Sequence, residues 1–254
     1  VTVRDRGPGL GNNIFELISF IGIADVLKRT PLLNHSCYQH FQRWHGEFTH
    51  MLSALRPYQK TFPNTTFFEN RCCFYRDPLN DTTINNSNEY AFLNLKFAQS
   101  YKFFETLGRE RVMDLMTMSD EVMEKARTSV VSEDLLNVAD HVICVHTRRG
   151  DFVSYAQAAP STAQFTEAAV QFIFNRVSKK FKKKAPLMVL IGQDRKFLEE
   201  LFDNGKKFPV TIANSSKKMP ALDWAFSRQF CDSYVMTAGA STFGWWGAYL
   251  SRGQ

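Results

Sequence analysis

The sequence predicts an α/β protein whose two domains are each built around a parallel sheet. From residue 141 onwards, four short apolar runs alternate with segments of helical periodicity, and no hairpin signal separates them. This alternation is typical of a parallel sheet with right-handed crossover connections. Independently, the N-terminal segment shows the order strand, glycine-rich turn, helix and strand, which is typical of nucleotide-binding α/β units.

The first predicted domain covers residues 1–135. A strand is predicted over residues 1–4, a glycine-rich turn over residues 6–12, and a helix from Asn13 to about Lys28, where apolar side chains recur at helical spacing. As a phosphate-binding loop the turn is a weak signal. It lacks the third glycine of the dinucleotide fingerprint, and no acidic residue follows at the expected distance.

The rest of this domain has a weaker pattern. Residues 31–33 could begin a second strand, and residues 113–129 are predicted to be helical. Between them, residues 34–100 alternate aromatic and turn residues without sustained periodicity. We interpret that stretch as short elements joined by loops, a kind of segment that often carries binding contacts.

The second predicted domain covers residues 136–254. Its strands are predicted at residues 141–145, 187–192, 209–213 and 234–237. Ser161, followed three residues later by Gln164, forms a capping-box signature and predicts a helix start. The apolar face of that helix is predicted to comprise Phe165, Ala168, Ala169, Phe172, Ile173 and Val177. Pro220 predicts the start of a later helix, because proline is favoured at the first helical position.

Polar residues follow three of these strands. The first strand end offers His146, Arg148, Arg149 and Asp151, the second offers Gln193 and Asp194, and the fourth offers Ser241 and Thr242. Because the carboxyl ends of parallel strands lie along one edge of a sheet, these groups are expected to come together. Guanidinium groups, hydroxyls and a helix N-terminus suit the phosphates of a nucleoside diphosphate, while carboxylates suit the hydroxyl and amino groups of its ribose and base.

Each of these residues also fits a structural role. The arginines could form a surface ion pair with an acidic neighbour, and Asp194, Ser241 and Thr242 could cap helices. His146 alone is more typical of a structural histidine than of a ligand. The aromatic residues that follow Thr242 fit a core better than a stacking platform; they are Phe243, Trp245 and Trp246. The joint pattern nevertheless favours a nucleotide site.

Charge and hydropathy restrict the classes of partner. A net charge of +6 on 254 residues suits an anionic ligand but is too small to indicate nucleic acid. No apolar segment is long enough to cross a bilayer, and no signal-peptide pattern is present. Since the sequence opens directly on a strand pattern, any anchoring segment is expected to lie outside it.

Sequons and cysteines favour the secretory pathway. Five Asn-x-Ser/Thr sequons begin at Asn34, Asn64, Asn80, Asn85 and Asn214. Among the five cysteines, Cys37, Cys72 and Cys73 lie in loop-like sequence and could form a bridge, whereas Cys144 is predicted to be a small buried core residue. No spacing of cysteine and histidine resembles a zinc site.

Three motifs occur in order along almost the whole chain. Residues 9–15 are Gly-Leu-Gly-Asn-Asn-Ile-Phe, residues 146–151 are His-Thr-Arg-Arg-Gly-Asp, and residues 241–250 are Ser-Thr-Phe-Gly-Trp-Trp-Gly-Ala-Tyr-Leu. The first and third resemble signatures of the α-1,2-fucosyltransferases, glycosyltransferase family 11. The second resembles the His-x-Arg-Arg-x-Asp motif shared by α-1,2-, α-1,6- and related fucosyltransferases.

The resemblance implies a GT-B-like architecture with GDP-fucose bound to the second domain. Arg148 would hold the β-phosphate with Arg149 close by, and His146 and Asp223 would approach the guanine. The full expected donor-binding set is Gly11, Asn12, His146, Arg148, Arg149, Asp194, Asp223, Ser241, Thr242 and Phe243.

The resemblance further implies an inverting transfer of fucose to the 2-hydroxyl of a terminal β-galactoside on a glycoprotein or glycolipid. The enzyme would be a single-pass type II protein of the Golgi membrane with its catalytic domain in the lumen. Arg148 and Asp151 are the candidate catalytic residues, although Asp151 fits an ion-pair partner of the arginines better than a base. Because the sequence contains no Asp-x-Asp motif, arginine is expected to replace a metal, and no cofactor is expected.

Two alternatives remain open at this point. One is a different fucosyl linkage, such as α-1,6 or protein O-fucosylation, against which the close match of residues 241–246 argues. The other is a catalytically silent protein that binds a glycan or a nucleotide, against which the intact arginines argue.

Overall fold

A computed structural model of the chain describes residues 2–3, 9–44, 46–58, 65–69, 75–81, 84, 89–95, 97–155, 158–180, 185–202 and 209–253. These fall into two compact units, Val1–Ser119 and Asp120–Gln254. The division lies earlier than the boundary expected after residue 135. The reason is the helix that begins at Asp120, which packs within the second unit: the side-chain amide of Gln229 donates to the carbonyl of Met123 at 2.9 Å.

The strands that the structure describes are β1 (Thr2–Val3), β2 (Leu32–Asn34), β3 (Arg56–Tyr58), β4 (Thr65–Glu69), β5 (Tyr90–Asn94), β6 (Val142–His146), β7 (Leu187–Ile191), β8 (Val210–Ile212) and β9 (Ser233–Met236). The α-helices are α1 (Leu10–Val26), α2 (His35–Gln42), α3 (Gly108–Leu115), α4 (Asp120–Ser129), α5 (Glu133–Asn137), α6 (Asp151–Ser154), α7 (Ala163–Lys180), α8 (Arg195–Glu200), α9 (Ala221–Phe230) and α10 (Thr242–Leu250).

In the first unit, β1, β5 and β4 form one parallel sheet, and β2 pairs with β3 in another. Helix α1 is buried along most of its length because it is apolar on nearly every side. The predicted strand, helix and second strand are therefore confirmed. Residues 6–8 of the predicted glycine-rich turn lie outside the described residues, and its residues 10–12 form the first turn of α1, so the helix begins earlier than predicted.

The predicted helix over residues 113–129 is wrong in its middle. It is broken between α3 and α4, where Met118 forms an antiparallel bridge with Phe48. The backbone N–H of Ser119 donates to the carbonyl of Glu47 at 3.0 Å. Tertiary pairing of this short segment thus overrides its helical periodicity.

In the second unit, four strands form a wholly parallel sheet in the order β8-β7-β6-β9. Cys144 on β6 stands opposite Val189 on β7 and Tyr234 on β9. Numbered within the unit, this order is 3-2-1-4, so the direction of winding reverses between β6 and β9. In open α/β sheets, ligands bind at such a switch point, beyond the carboxyl ends of the strands.

Strands β6 and β7 are buried along their whole length, because helices cover both faces of the sheet. On one face Val145 and Leu190 pack with α7 and α8. The predicted apolar face of α7 is wrong in part, since Phe165 and Phe172 are 56% and 66% exposed. The helix turns Thr166, Val170 and the predicted Val177 inwards, a set at spacings of four and seven residues.

Cys144 is not the isolated core residue that its strand pattern predicted. It forms a disulfide with Cys231, at the end of α9, with a Cα–Cα distance of 5.6 Å. Both residues are fully buried. The bond links the central strand to the helix that carries Asp223. The bridge expected among Cys37, Cys72 and Cys73 involves residues 72 and 73, which lie outside the described residues.

Candidate functional site

The structure brings the three predicted strand ends of the second unit together at the switch point. His146 is the last residue of β6 and residues 147–151 follow it, residues 192–194 follow the adjacent β7, and residues 237–242 follow β9 on the other side of β6. The polar groups expected from the sequence therefore share one edge of the sheet. Helix α10 begins at Thr242 and points its N-terminus, with its positive dipole end, at this edge.

His146 ends β6 and is almost completely buried, with 3% of its surface exposed. Its ring centroid lies 5.9 Å from that of Phe243. Burial, reinforced by the charge of Arg148, lowers the pKa of His146 to about 4, so the ring is neutral near pH 7. Its Nδ1 has no hydrogen-bond partner among the described residues. A buried ring nitrogen without a partner is a group that a ligand could satisfy.

Arg148 is held by two side chains at the mouth of the site. Its Nη1 donates to Oε1 of Gln193 at 3.2 Å, and its Nη2 donates to Oδ1 of Asp151 at 2.6 Å. The guanidinium carbon also lies 5.2 Å from the ring centroid of Phe152. Asp151 is therefore an ion-pair partner of the arginine, as its position in the motif suggested. Because 26% of the Arg148 side chain remains exposed, the guanidinium can still meet an anion.

Arg149 points towards the next strand end. Its Nε donates to Oδ2 of Asp194 at 3.0 Å, and its Nη1 donates to the carbonyl of Ser161 at 2.8 Å. Its guanidinium carbon lies 4.3 Å from the ring centroid of Phe197. Asp194 also caps α8, since its Oδ1 accepts from the backbone N–H of Phe197 at 3.1 Å. The carboxylate thus has the structural role that the sequence left open, and it orients Arg149 as well.

The N-terminus of α10 is capped from within the third motif. Oγ of the buried Ser241 accepts from the backbone N–H of Gly244 at 3.2 Å. Thr242, the first residue of the helix, is partly exposed. Ser241 is therefore a cap residue, and Thr242 remains a candidate phosphate contact.

Two glycines of the third motif are required by close packing against this site. A Cβ on Gly244 would lie 2.6 Å from Nδ1 of His146, and a Cβ on Gly247 would collide with the hydroxyl of Tyr234. At the neighbouring strand end, a Cβ on Gly192 would collide with the side chain of Thr147. Each position admits only a hydrogen atom, which allows α10 to pack closely on β6 and β9 and allows the residue after β7 to pack closely on the residue after β6.

Asp223 lies in the first turn of α9 and is 8% exposed. Burial raises its pKa to about 6, although a hydrogen bond from Ser215 opposes the shift. Its Oδ1 has no partner among the described residues. The adjacent Trp224 donates from its indole nitrogen to the carbonyl of Phe243 at 2.9 Å and stacks on that ring at 4.9 Å. Phe243 therefore packs between Trp224 and His146. The contact between Trp224 and Phe243 links α9 to α10.

Gly11 and Asn12 lie in the first turn of α1, in the first unit. Gly11 is buried, and Oδ1 of Asn12 accepts from the side-chain amide of Gln99 at 2.9 Å. The neighbouring Asn13 is buried, and its Oδ1 lies 2.6 Å from Nε2 of His40. The structure thus places the first motif on a helix start whose amide side chains are already ordered by hydrogen bonds.

The sequence did not predict the role of two residues of the second unit, Ser161 and Thr237. They hold residues 146–151, the arginine segment. Ser161 was predicted to belong to a capping box, but it is fully buried and its hydroxyl accepts from the backbone N–H of Arg148. Thr162 caps the helix instead, since its hydroxyl accepts from the N–H of Phe165 at 3.3 Å. Thr237, at the end of β9, bonds to the carbonyl of His146. No local signal identifies these contacts, because Ser161 is 13 residues from Arg148 and Thr237 is 91 residues from His146.

Among the described residues, no group of three or more His, Cys, Asp or Glu side chains is arranged to hold a metal ion. No described helix combines the length and hydropathy that a membrane crossing requires.

The chain matches the family model for glycosyl transferase family 11 over residues 37–254. It is 34% identical to a putative galactoside 2-alpha-L-fucosyltransferase of Caenorhabditis elegans, over 96% of this chain and 67% of that protein. It is also 29% identical to the galactoside alpha-(1,2)-fucosyltransferase 1 of Leontopithecus chrysomelas, over 66% of this chain and 47% of that protein. The chain thus spans about two thirds of the worm relative and about half of the primate relative.

Solved structures share the fold. An alpha-1,6-fucosyltransferase, NodZ, co-crystallised with GDP, superposes with a TM-score of 0.60 at 15% identity, covering 98% of this chain and 92% of that one. A variant of FUT1 from Arabidopsis thaliana in complex with GDP gives a TM-score of 0.63 at 13% identity, covering 98% and 68%. These similarities confirm the predicted two-domain α/β fold of the GT-B type.

Proposed function

Because this chain belongs to glycosyltransferase family 11, we propose that it transfers L-fucose from GDP-fucose to the 2-hydroxyl of a terminal β-galactoside. The observation that carries the proposal is the pair Arg148 and Arg149 at the switch point of the second unit, in a chain whose relatives are named galactoside 2-alpha-L-fucosyltransferases. GDP in two structures of the same fold supports a guanine nucleotide as the donor carrier.

The diphosphate of the donor is proposed to lie between the arginine segment and the N-terminus of α10. Both guanidinium groups are oriented by side chains that leave part of each exposed. The hydroxyl of Thr242 and the dipole of α10 complement the same negative charge. Asp151 and Asp194 hold the arginines in place before the donor arrives, so little reorganisation is needed on binding.

The guanine is proposed to be recognised by two buried atoms that have no hydrogen-bond partner among the described residues. Asp223 Oδ1 can accept from the N–H groups on the Watson–Crick edge of guanine, and the neutral His146 offers a ring nitrogen through Nδ1. Satisfying both atoms would remove the cost of leaving them buried without hydrogen bonds. The partly exposed Phe243, which packs against His146, would border the same base.

The chemical step is a displacement with inversion at the anomeric carbon of fucose. The acceptor oxygen forms a bond to that carbon while the bond to the β-phosphate oxygen breaks, and the acceptor proton leaves to a base. Negative charge grows on the departing GDP, so a guanidinium fixed at the β-phosphate stabilises the transition state more than the ground state. Arg148 is the residue assigned to this role. Asp151 already accepts from Arg148 and acts through it.

The reaction is proposed to need no metal ion, because the two arginines supply the positive charge at the diphosphate. The protein is proposed to work in the Golgi lumen, anchored to the membrane by a segment outside this sequence. The buried disulfide Cys144–Cys231 supports an oxidising compartment. Exposed sequon asparagines support the same compartment; those described are Asn34, Asn80 and Asn214.

The proposal is tested by a donor and acceptor screen followed by linkage analysis of the product. We expect GDP-fucose and a β-galactoside to give an α-1,2-linked product, at a rate that EDTA leaves unchanged. An α-1,6 product or transfer to a protein hydroxyl would replace the proposed acceptor. Donor binding without turnover would indicate a silent binding protein, and activity restored only by added Mn²⁺ or Mg²⁺ would contradict the arginine mechanism.

A further inference from the structure

Ser161 binds the arginine segment through all three of its polar groups. It lies between α6 and α7 and is fully buried. Its Oγ accepts from the backbone N–H of Arg148 at 2.9 Å, and its own N–H donates to the carbonyl of Arg148 at 2.9 Å. Its carbonyl accepts from Nη1 of Arg149 at 2.8 Å. One serine thus fixes the backbone of the first arginine and the side chain of the second.

Thr237 extends this contact to the start of the motif. Its Oγ1 lies 2.7 Å from Oγ of Ser161 and 2.9 Å from the carbonyl of His146, which also accepts from the backbone N–H of Thr237 at 3.1 Å. Each hydroxyl has one proton and can both donate and accept. The four groups therefore form one directed series: Arg148 N–H donates to Ser161, Ser161 donates to Thr237, and Thr237 donates to the His146 carbonyl.

This series spans the segment that carries the proposed donor contacts. It starts at Arg148, ends at His146, and passes through the hydroxyls of Ser161 and Thr237, two residues that are 0% and 6% exposed. Hydrogen bonds in such a buried series strengthen one another, and each lost member leaves a buried group unsatisfied. The backbone between His146 and Arg148 is consequently fixed from both ends, and the direction of the Arg148 side chain is fixed with it.

We propose that Ser161 and Thr237 are positioning residues, whose hydroxyls hold the arginine segment in the geometry that binds and stabilises the donor diphosphate. This inference rests on the proposed function. Neither residue needs to touch the donor. Their effect is exerted through Arg148 and Arg149, so it should appear at the diphosphate and in turnover and should be small at the base.

The test compares four variants of the full chain. Ser161→Ala and Thr237→Val each remove one hydroxyl of the series, and Thr237→Val does so with almost no change in volume. Thr237→Ser keeps the hydroxyl and loses only a methyl group. Ser251→Ala is the matched control, because Ser251 is a buried serine of the same unit whose Oγ donates to the carbonyl of Ala248 at the end of α10.

Calorimetry with GDP and with GMP separates the diphosphate from the base. We expect Ser161→Ala and Thr237→Val to lower GDP affinity about tenfold while changing GMP affinity little, as loss of a hydrogen bond that orients a charged group would. With GDP-fucose, kcat should fall about 10- to 100-fold, since small displacements of catalytic groups have effects of this size. Thr237→Ser and Ser251→Ala should behave like the wild type.

Three results would overturn the inference. GDP affinity and kcat could stay at wild-type values in both Ser161→Ala and Thr237→Val. GDP and GMP affinity could fall equally, together with the melting temperature, which would indicate a structural role alone. Thr237→Ser could be as defective as Thr237→Val, which would assign the effect to the methyl group. A wild-type chain that bound no GDP would overturn the proposed function together with this inference.

Discussion

The Arg148 side chain combines partial exposure with two fixed partners, and this combination predicts how it can be replaced. Arg148→Ala should lower kcat about 100-fold or more while the fold persists, because it removes a preorganised charge from the leaving phosphate. Arg148→Lys should recover little of this loss, since an ammonium cannot bond to Gln193, Asp151 and a phosphate as a planar fork does.

The measurement for Arg148 is steady-state kinetics with GDP-fucose, accompanied by thermal unfolding. Arg195→Ala is the matched control, because Arg195 is 61% exposed and pairs with Glu199 on the surface of α8. Near-normal turnover in Arg148→Ala would remove Arg148 from the proposed mechanism.

The buried carboxyl of Asp223 predicts opposite pH dependences of folding and binding. Its pKa is raised to about 6 in the folded chain, above the usual 3.8. As the pH rises from about 4 to 6, the unfolded chain loses this proton first, so the contribution of Asp223 to the free energy of unfolding falls. GDP binding should strengthen over the same window, because the carboxylate is the form that accepts hydrogen bonds from guanine.

Asp223→Asn is the variant that tests both dependences. Calorimetry should show GDP affinity reduced by about 1.5–3 kcal/mol at neutral pH, the range for a hydrogen bond to a charged group, and a flatter affinity profile between pH 4 and 6. Without nucleotide, the free energy of unfolding measured with denaturant should decline less between pH 4 and 6 in Asp223→Asn than in the wild type. A GDP affinity equal to that of the wild type would show that the base is recognised elsewhere, with His146 the next candidate.

At the scale of the element, the start of α10 is fitted to the end of the sheet by residues without side chains. Gly244→Ala would place a methyl group 2.6 Å from Nδ1 of the buried His146. Overpacking of this kind typically costs about 1–3 kcal/mol. We expect a lower melting temperature and weaker GDP binding, because α10 and His146 must separate.

The matched control for Gly244→Ala is Gly239→Ala, where the added methyl group would meet no atom within 4 Å. Thermal unfolding of the two variants decides the point. If Gly244→Ala melts at the wild-type temperature, the close contact between α10 and His146 is not a constraint on the sequence of the third motif.

Elements also show how far local pattern determines structure. The four strands of the second unit and their parallel direction were predicted, because apolar runs without an intervening hairpin signal determine both. The inward face of α7 was predicted only in part, because Val177 and Ile173 pack in the core whereas Phe165 and Phe172 repeat at helical spacing on the outer side. The break before α4 was missed for a related reason, since Met118 pairs with Phe48, which is distant in sequence.

In the candidate site too, some residues could be predicted from local sequence pattern and others could not. His146, Arg148 and the start of α10 could be predicted because each directly follows a strand pattern. The pairing of Cys144 with Cys231 and the bond between Ser161 and Thr237 could not, because the members of the two pairs are 87 and 76 residues apart and neither contact has a periodicity. Sequence therefore locates the polar groups of the candidate site better than it locates the residues that hold them in place.

At the scale of the whole molecule, covalent chemistry predicts the compartment in which the chain folds. Asn34 is an exposed helix cap whose Oδ1 accepts from the backbone N–H of Ser36 at 2.8 Å and from the Ser36 hydroxyl at 2.7 Å. Together with the buried Cys144–Cys231 disulfide, this favours synthesis in the secretory pathway.

We therefore expect the chain, secreted from a eukaryotic host behind a signal peptide, to lose apparent mass on endoglycosidase treatment. Asn34→Gln should remove one increment of that mass, and Ser36→Ala should remove the same increment because it destroys the sequon without changing the asparagine. Equal mobility of both variants and the wild type before digestion would show that Asn34 carries no glycan. If no sequon variant shifted and cysteine labelling found Cys144 and Cys231 reduced, the proposed lumenal location would be wrong, because a buried disulfide persists only where the compartment is oxidising.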